Sequence, residues 1–209
     1  MSLLARWMLS GWCAALLVLP AFGQALEFES GGLKYQAITK AGLTVMIAPL
    51  QERILGYSII HVAVSNGSVE PQVLLPEKFR FQAAVGKPIQ ALSARAVVTD
   101  VLNRAGRGDV GRLIGIYEAA LFGNSNLELR HGYEARRKDA MAIGGTKMRA
   151  AAAAAAIVLG SYQLEPGGSI DGAVFLPSKN KALGAGKLTI EAAGETFEFT
   201  LAGEPAPAR

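Results

Sequence analysis

Few side chains in this 209-residue sequence could do chemistry, and they are scattered. The two histidines, His61 and His131, belong to no H-E-x-x-H spacing and to no two-histidine, one-carboxylate set, so no metal site is expected. Serine catalysis needs a base held beside the hydroxyl. No G-x-S-x-G elbow is present, and Ser161 and Ser169 stand near glycines in turn contexts. Gly106-Arg107-Gly108 and Gly184-Ala185-Gly186-Lys187 lack the strand-turn-helix frame of a phosphate loop. No paired carboxylates stand out for glycoside chemistry. Catalytic residues and cofactors are therefore expected to be none. The densest charged group is Arg130, Arg136, Arg137 and Lys138. Guanidinium groups suit carboxylate or phosphate ligands, which makes this set the candidate polar binding patch. The competing reading is a solvated helix face with Glu134 and Lys138 paired at i,i+4. Arg107-Gly108-Asp109 matches an adhesive tripeptide, but Gly-Asp is also how a helix starts.

The N-terminus carries an address. Arg6 precedes an uncharged run from Trp7 to Leu19, broken by Pro20 and Gly23, with small residues ahead of Leu26. That is the layout of a secretory signal peptide, cleaved after Gly23 or Ala25, the latter preferred. The run is shorter than the roughly 20 residues that span a bilayer. Cys13, the sole cysteine, lies within it, so the exported chain would have neither disulfides nor thiol chemistry. Without Arg6 the formal charge of +4 becomes +3, from 20 basic and 17 acidic groups. The excess sits in residues 104–149, with nine basic and five acidic side chains. Export and the absence of interleaved aromatics argue against nucleic acid as a partner.

Positioning elements follow from periodicity. Alternation and turn signals predict strands at 34–38, 43–47 (ending before Pro49), 57–64, 73–75, 79–82, 89–92, 169–176, 188–190 and 196–201. Between them the period changes to helical. Val97, Val98, Val101 and Leu102 begin a block of four helices reaching Leu159. Asp109 is the expected N-cap of the second, Gly132 to Ile143 forms the third, and Thr146 caps a fourth that runs through seven alanines. On the second helix Gly111, Gly115, Ala119 and Gly123 recur every four residues. They make a candidate strip for close helix packing. Residues 204–209 read as a disordered tail.

The pattern Leu164, Pro166, Gly167, Ser169, Gly172, Val174 and Phe175, followed by the Phe197/Phe199 strand, resembles the closing strands of immunoglobulin-like domains in bacterial envelope proteins. The Tyr57 to Asn66 strand is similar to their central strand. The resemblance spans residues 33–92 and 162–201 and implies an Ig-like sandwich with no catalytic residues. The expectation is thus a mainly β fold with an α insertion: an Ig-like antiparallel β-sandwich of seven or eight strands over 26–93 and 162–203, with a helical insertion over 94–161. The expected role is a non-enzymatic exported binding or structural module of the bacterial cell envelope, meeting an unknown protein or envelope component through the helical insertion. The alternative is weak membrane-surface or lipid contact through the basic, Gly/Ala-rich helices. A hydrolase is the third reading.

Overall fold

Two-residue hairpin loops, each closing on a glycine, build much of the sheet structure. The computed structural model describes residues 25–30, 32–122, 132–179 and 181–203. Ala41-Gly42, Leu55-Gly56 and Ala193-Gly194 carry positive φ at both positions. That is type I′ turn backbone, whose twist matches the strands it joins. The strands are β1 (Leu26–Ser30), β2 (Leu33–Lys40), β3 (Leu43–Ile54), β4 (Tyr57–Asn66), β5 (Gln72–Leu74), β6 (Phe79–Ala83), β7 (Ile89–Gln90), β8 (Tyr162–Leu164), β9 (Ser169–Pro177), β10 (Gly186–Ala192) and β11 (Glu195–Leu201). Between β7 and β8 lie α1 (Ala94–Arg104), α2 (Asp109–Phe122), α3 (Tyr133–Ala142) and α4 (Thr146–Ile157). The fold is mainly β with four helices among the described residues.

The strands form a five-stranded sheet, β1-β2-β3-β4-β9, a four-stranded sheet, β11-β10-β6-β7, and a β5–β8 ribbon. Every strand pair is antiparallel. Alternation sends Ile38, Val45, Ile60 and Val62 of the first sheet against Phe79, Phe81, Phe197 and Phe199 of the second. The other face of the first sheet, with Tyr57, Ile59 and Phe175, packs on Val97, Leu113, Tyr117 and Ala154 of the helices. Three layers result, with the larger sheet in the middle. β4 is buried at every position except Ser65, which is why it reads as a nearly continuous apolar run.

Several local expectations are corrected. Among the described residues there are eleven strands rather than seven or eight. β1 precedes the first expected strand. β3 continues through Pro49, which stays in register with Ile60 of β4, because its missing N–H faces β2 beyond Gln36–Ile47, where the β2–β3 ladder has ended. Asp109 is the first residue of α2, not its cap. Its carboxylate reaches back to accept the Gly106 N–H at 2.7 Å, while the Gly108 carbonyl receives the Arg112 N–H. This also accounts for the Arg107-Gly108-Asp109 tripeptide as a helix start. Thr146 begins α4, and Gly145 stands at its cap with φ of 82° and no side-chain bond.

The alanine run does make a close-packed helix. α4 touches α1, α2 and α3, and Ala150, Ala153 and Ala154 are fully enclosed. Methyl-only surfaces let three neighbours approach. The small-residue strip on α2 does not take part. Gly111, Gly115 and Ala119 are exposed, and a Cβ added at Gly111 or Gly115 would meet nothing within 4 Å. A thin partner such as α4 leaves room for large side chains, so α2 uses Leu113, Tyr117 and Leu121, its opposite face. Gly123 lies outside the described residues.

Candidate functional site

A large recess opens at one end of the two-sheet core, where β1 and β2 extend past the end of β11. It has a volume of about 660 Å³, within the range of small-ligand sites. Phe28, Leu33, Leu50, Ile59, Leu183 and Leu201 supply apolar wall, and Glu27, Glu29, Lys34, Gln36, Arg53 and Ser58 supply polar groups. Register sets these apart: Glu27 lies opposite Gln36, and Glu29 opposite Lys34, whereas Phe28 lies opposite Tyr35 on the other face. Gln36 is fixed by donating to Glu27 Oε1 at 2.9 Å and to the Thr200 carbonyl at 2.8 Å. Its Oε1 is buried with no hydrogen-bond partner among the described residues. Ser58 Oγ donates to Ser178 Oγ at 2.9 Å, and Ala182 and Leu183 line the recess on this side.

Behind the cleft, between the central sheet and the helices, lies a buried polar cluster. His61 is fully enclosed. Its Nδ1 is 3.3 Å from the Tyr35 hydroxyl, and its Nε2 is 3.9 Å from Asp171 Oδ2. The Tyr117 hydroxyl donates to that same oxygen. The rings continue outward, Tyr117 against Tyr133 at 5.1 Å. The Tyr133 hydroxyl donates to Glu118 Oε1 at 3.2 Å. Burial pushes the Tyr117 hydroxyl well above the usual phenol range, and the Asp171 charge and hydrogen bond add to it. Burial, with Glu118, does the same to Tyr133. Both therefore act as neutral donors across the accessible pH range. The cleft wall includes Tyr35 but neither His61 nor Asp171.

Sequence reasoning placed His61 alone in a strand and missed Tyr35, Asp171, Tyr117 and Tyr133 as its company. One signal was available. Asp171 is a carboxylate inside an apolar strand, in phase with the buried Ala173 and Phe175, and a charge there needs partners. The cleft left no comparable signal, because its walls come from four distant segments.

The expected basic patch is divided by the structure. Arg137 Nε lies 2.8 Å from Glu118 Oε1, and Arg136 Nε donates to the Ala156 carbonyl at 3.3 Å, at the end of α4. Two of the four cations thus tie helices together. Lys138 is exposed, and Arg130 lies outside the described residues, as do His131 and residues 1–24. No group of His, Cys, Asp and Glu among the described residues could hold a metal, and no described helix is long and apolar enough to cross a membrane. Comparison of the chain with protein-family profiles, with curated proteins and with solved structures returns no match.

Proposed function

We propose that the protein is a non-enzymatic, exported binding module of the cell envelope, and that it recognises its ligand in the cleft between β1–β3 and the 182–183 and 201–203 segments. The observation that carries this reading is the cleft itself, a recess of about 660 Å³ lined by both apolar and charged side chains. Contact through the helical insertion would have to use the outer faces of the helices, since their inner faces are occupied by the central sheet. A hydrolase is disfavoured because the one described histidine is sealed beneath Tyr35 and does not line the cleft.

The immunoglobulin-like part of the reading extends, we infer, to the two-sheet layering alone. In immunoglobulin domains the third strand crosses to the second sheet, whereas here β1 to β4 stay in one sheet.

The test is capture from envelope extract with Ala182→Trp, which fills the cleft from an exposed loop position. The expected result is an envelope component held by the parent protein and lost by this variant. A second reading, contact with anionic lipid, rests on the exposed Met141 and Met148 flanking the α3–α4 turn near Lys138. Lys138→Glu with Met148→Glu separates the two. Loss of capture in that variant alone, or co-sedimentation with anionic vesicles that salt reverses, would favour the lipid surface and overturn the cleft reading.

A further inference from the structure

We propose that the outer edge of β1 takes an extended segment of a partner protein that alternates basic and apolar residues, added as a sixth strand of the first sheet. This rests on the cleft reading, since Glu27, Phe28 and Glu29 of β1 line the cleft, and it names the class of ligand.

Sheet edges invite strand addition unless something closes them. In the two larger sheets the other edges are closed or short. The free side of β9 is occupied by backbone: the Leu92 N–H donates to the Phe175 carbonyl at 3.1 Å and the Leu159 N–H to the Ala173 carbonyl at 2.8 Å. The free side of β11 is blocked by side chains of β2. Gln36 donates to the Thr200 carbonyl at 2.8 Å and Lys40 to the Thr196 carbonyl at 2.6 Å. β7 is only two residues long. β1 is different: it is five residues long, pairs with β2 on one side and has no strand on the other among the described residues.

The chemistry of β1 selects the occupant. Glu27 and Glu29 share one face of the strand, while Leu26 and Phe28 share the other. Leu26 is 66 % exposed, and Phe28 stacks on Tyr35 at 5.3 Å. A second copy pairing antiparallel about Phe28 would set Glu27 opposite Glu29 of its mate twice over, and like charges directly opposite are destabilising. A strand with lysine or arginine opposite the two glutamates reverses that sign. Apolar residues at its alternate positions would cover Leu26 and extend the Phe28 face. Main-chain bonds would supply affinity and the alternating pattern would supply selectivity.

Fluorescence anisotropy of labelled ten-residue peptides against the purified protein tests this. The probes are an alternating lysine–valine peptide, its glutamate–valine counterpart, and a lysine–valine peptide with two valines changed to proline. The expected order is binding of the first, weakened by salt, no binding of the second, and a loss of about tenfold for the third, whose prolines remove ladder donors. Glu27→Lys with Glu29→Lys, both exposed positions, should reverse the preference between lysine and glutamate peptides while the circular dichroism spectrum stays unchanged. Equal binding of the proline peptide would mean charge attraction without strand addition. An unchanged affinity in the double variant would remove β1 from the contact, and self-association of the parent through β1 in sedimentation would give the edge to a second copy. Any of these overturns the proposal. If the peptides fail while Ala182→Trp still abolishes capture of an envelope component, the strand-addition proposal falls and the cleft reading stands. If Ala182→Trp has no effect either, both fall.

Discussion

Replacing Tyr117 by phenylalanine should detach the helical layer from the sheet energetically without moving an atom of packing. Tyr117 is 1 % exposed, and the Asp171 side chain that receives its hydrogen bond is 8 % exposed. A hydrogen bond to a charged acceptor contributes about 1.5–3 kcal/mol, and a buried acceptor short of a donor suffers the larger figure. The substitution removes one oxygen, so the cavity contribution is small. With a urea m-value of about 2 kcal/mol per molar for a chain of this size, a loss of about 2 kcal/mol moves the midpoint down by about 1 M. Tyr133→Phe is the internal control. It loses a bond to Glu118, whose side chain is 22 % exposed and already paired with Arg137, so water replaces the donor and the cost should stay near about 0.5 kcal/mol. Urea unfolding of both variants at pH 7 reads the difference. A Tyr117→Phe midpoint no lower than that of Tyr133→Phe would refute the claim that the Tyr117–Asp171 bond ties the layers.

Other consequences can be checked in the same way. Gly172→Ala would place a Cβ 2.8 Å from the Leu159 Cα, a backbone atom in the strand-like exit of α4. A cost of about 2–3 kcal/mol should follow, seen as a melting temperature about 5–10 °C lower. Gly111→Ala and Gly115→Ala should each stabilise by about 0.5–1 kcal/mol, as expected for solvent-facing helical glycines; a loss of urea midpoint in either would restore a packing role to that strip. Burial and then the hydrogen bond and charge of Asp100 push the Tyr57 hydroxyl up to about 12. Between the ordinary phenol value of about 10 and about 12 the folded state keeps a proton that the unfolded chain releases, so this stabilisation is complete below about pH 10 and is lost as pH rises to about 12. Tyr57→Phe should flatten the fall in urea midpoint over that window.

The order of elements was legible because it depends on local rules. Glycine-closed turns, β-branched runs and three-and-four spacing mark β4, β9, the β10–β11 hairpin and all four helices, within a residue or two. Layering was less legible. β4 reads as continuously apolar, which signals burial on both faces, yet a sandwich predicts only one. The second covering layer was visible in principle in Tyr57 and Ile59, which alternate with Ile60 and Val62 but are equally apolar. Packing partners were misjudged where the rule ignored the opposite surface. A strip of glycines suggests close approach only when another helix lies against it, and the alanines of α4 had already taken that role. The polar cluster was illegible because Tyr35, His61, Tyr117 and Asp171 come from four separated segments, and two of the four looked like ordinary apolar-face residues.

The helical layer and the binding surface answer to different constraints. Helices α1 to α4 cover Tyr57, Ile59 and Phe175, each of which stabilises by about 1.5–3 kcal/mol when enclosed. Total stabilities of domains are about 5–15 kcal/mol, so cutting out the helices would remove much of what keeps the central sheet folded. The helical layer is therefore part of the scaffold, and its basic residues Arg136 and Arg137 are used to fasten it. The charged side chains of β1 and β2 at the cleft carry no such burden. Glu27, Glu29 and Lys34 are exposed, bond to no neighbouring layer among the described residues, and could each be exchanged at little cost to stability. Charges that do little for the fold, set along the outer edge of β1 and beside an open recess, are where selection for a partner has room to act.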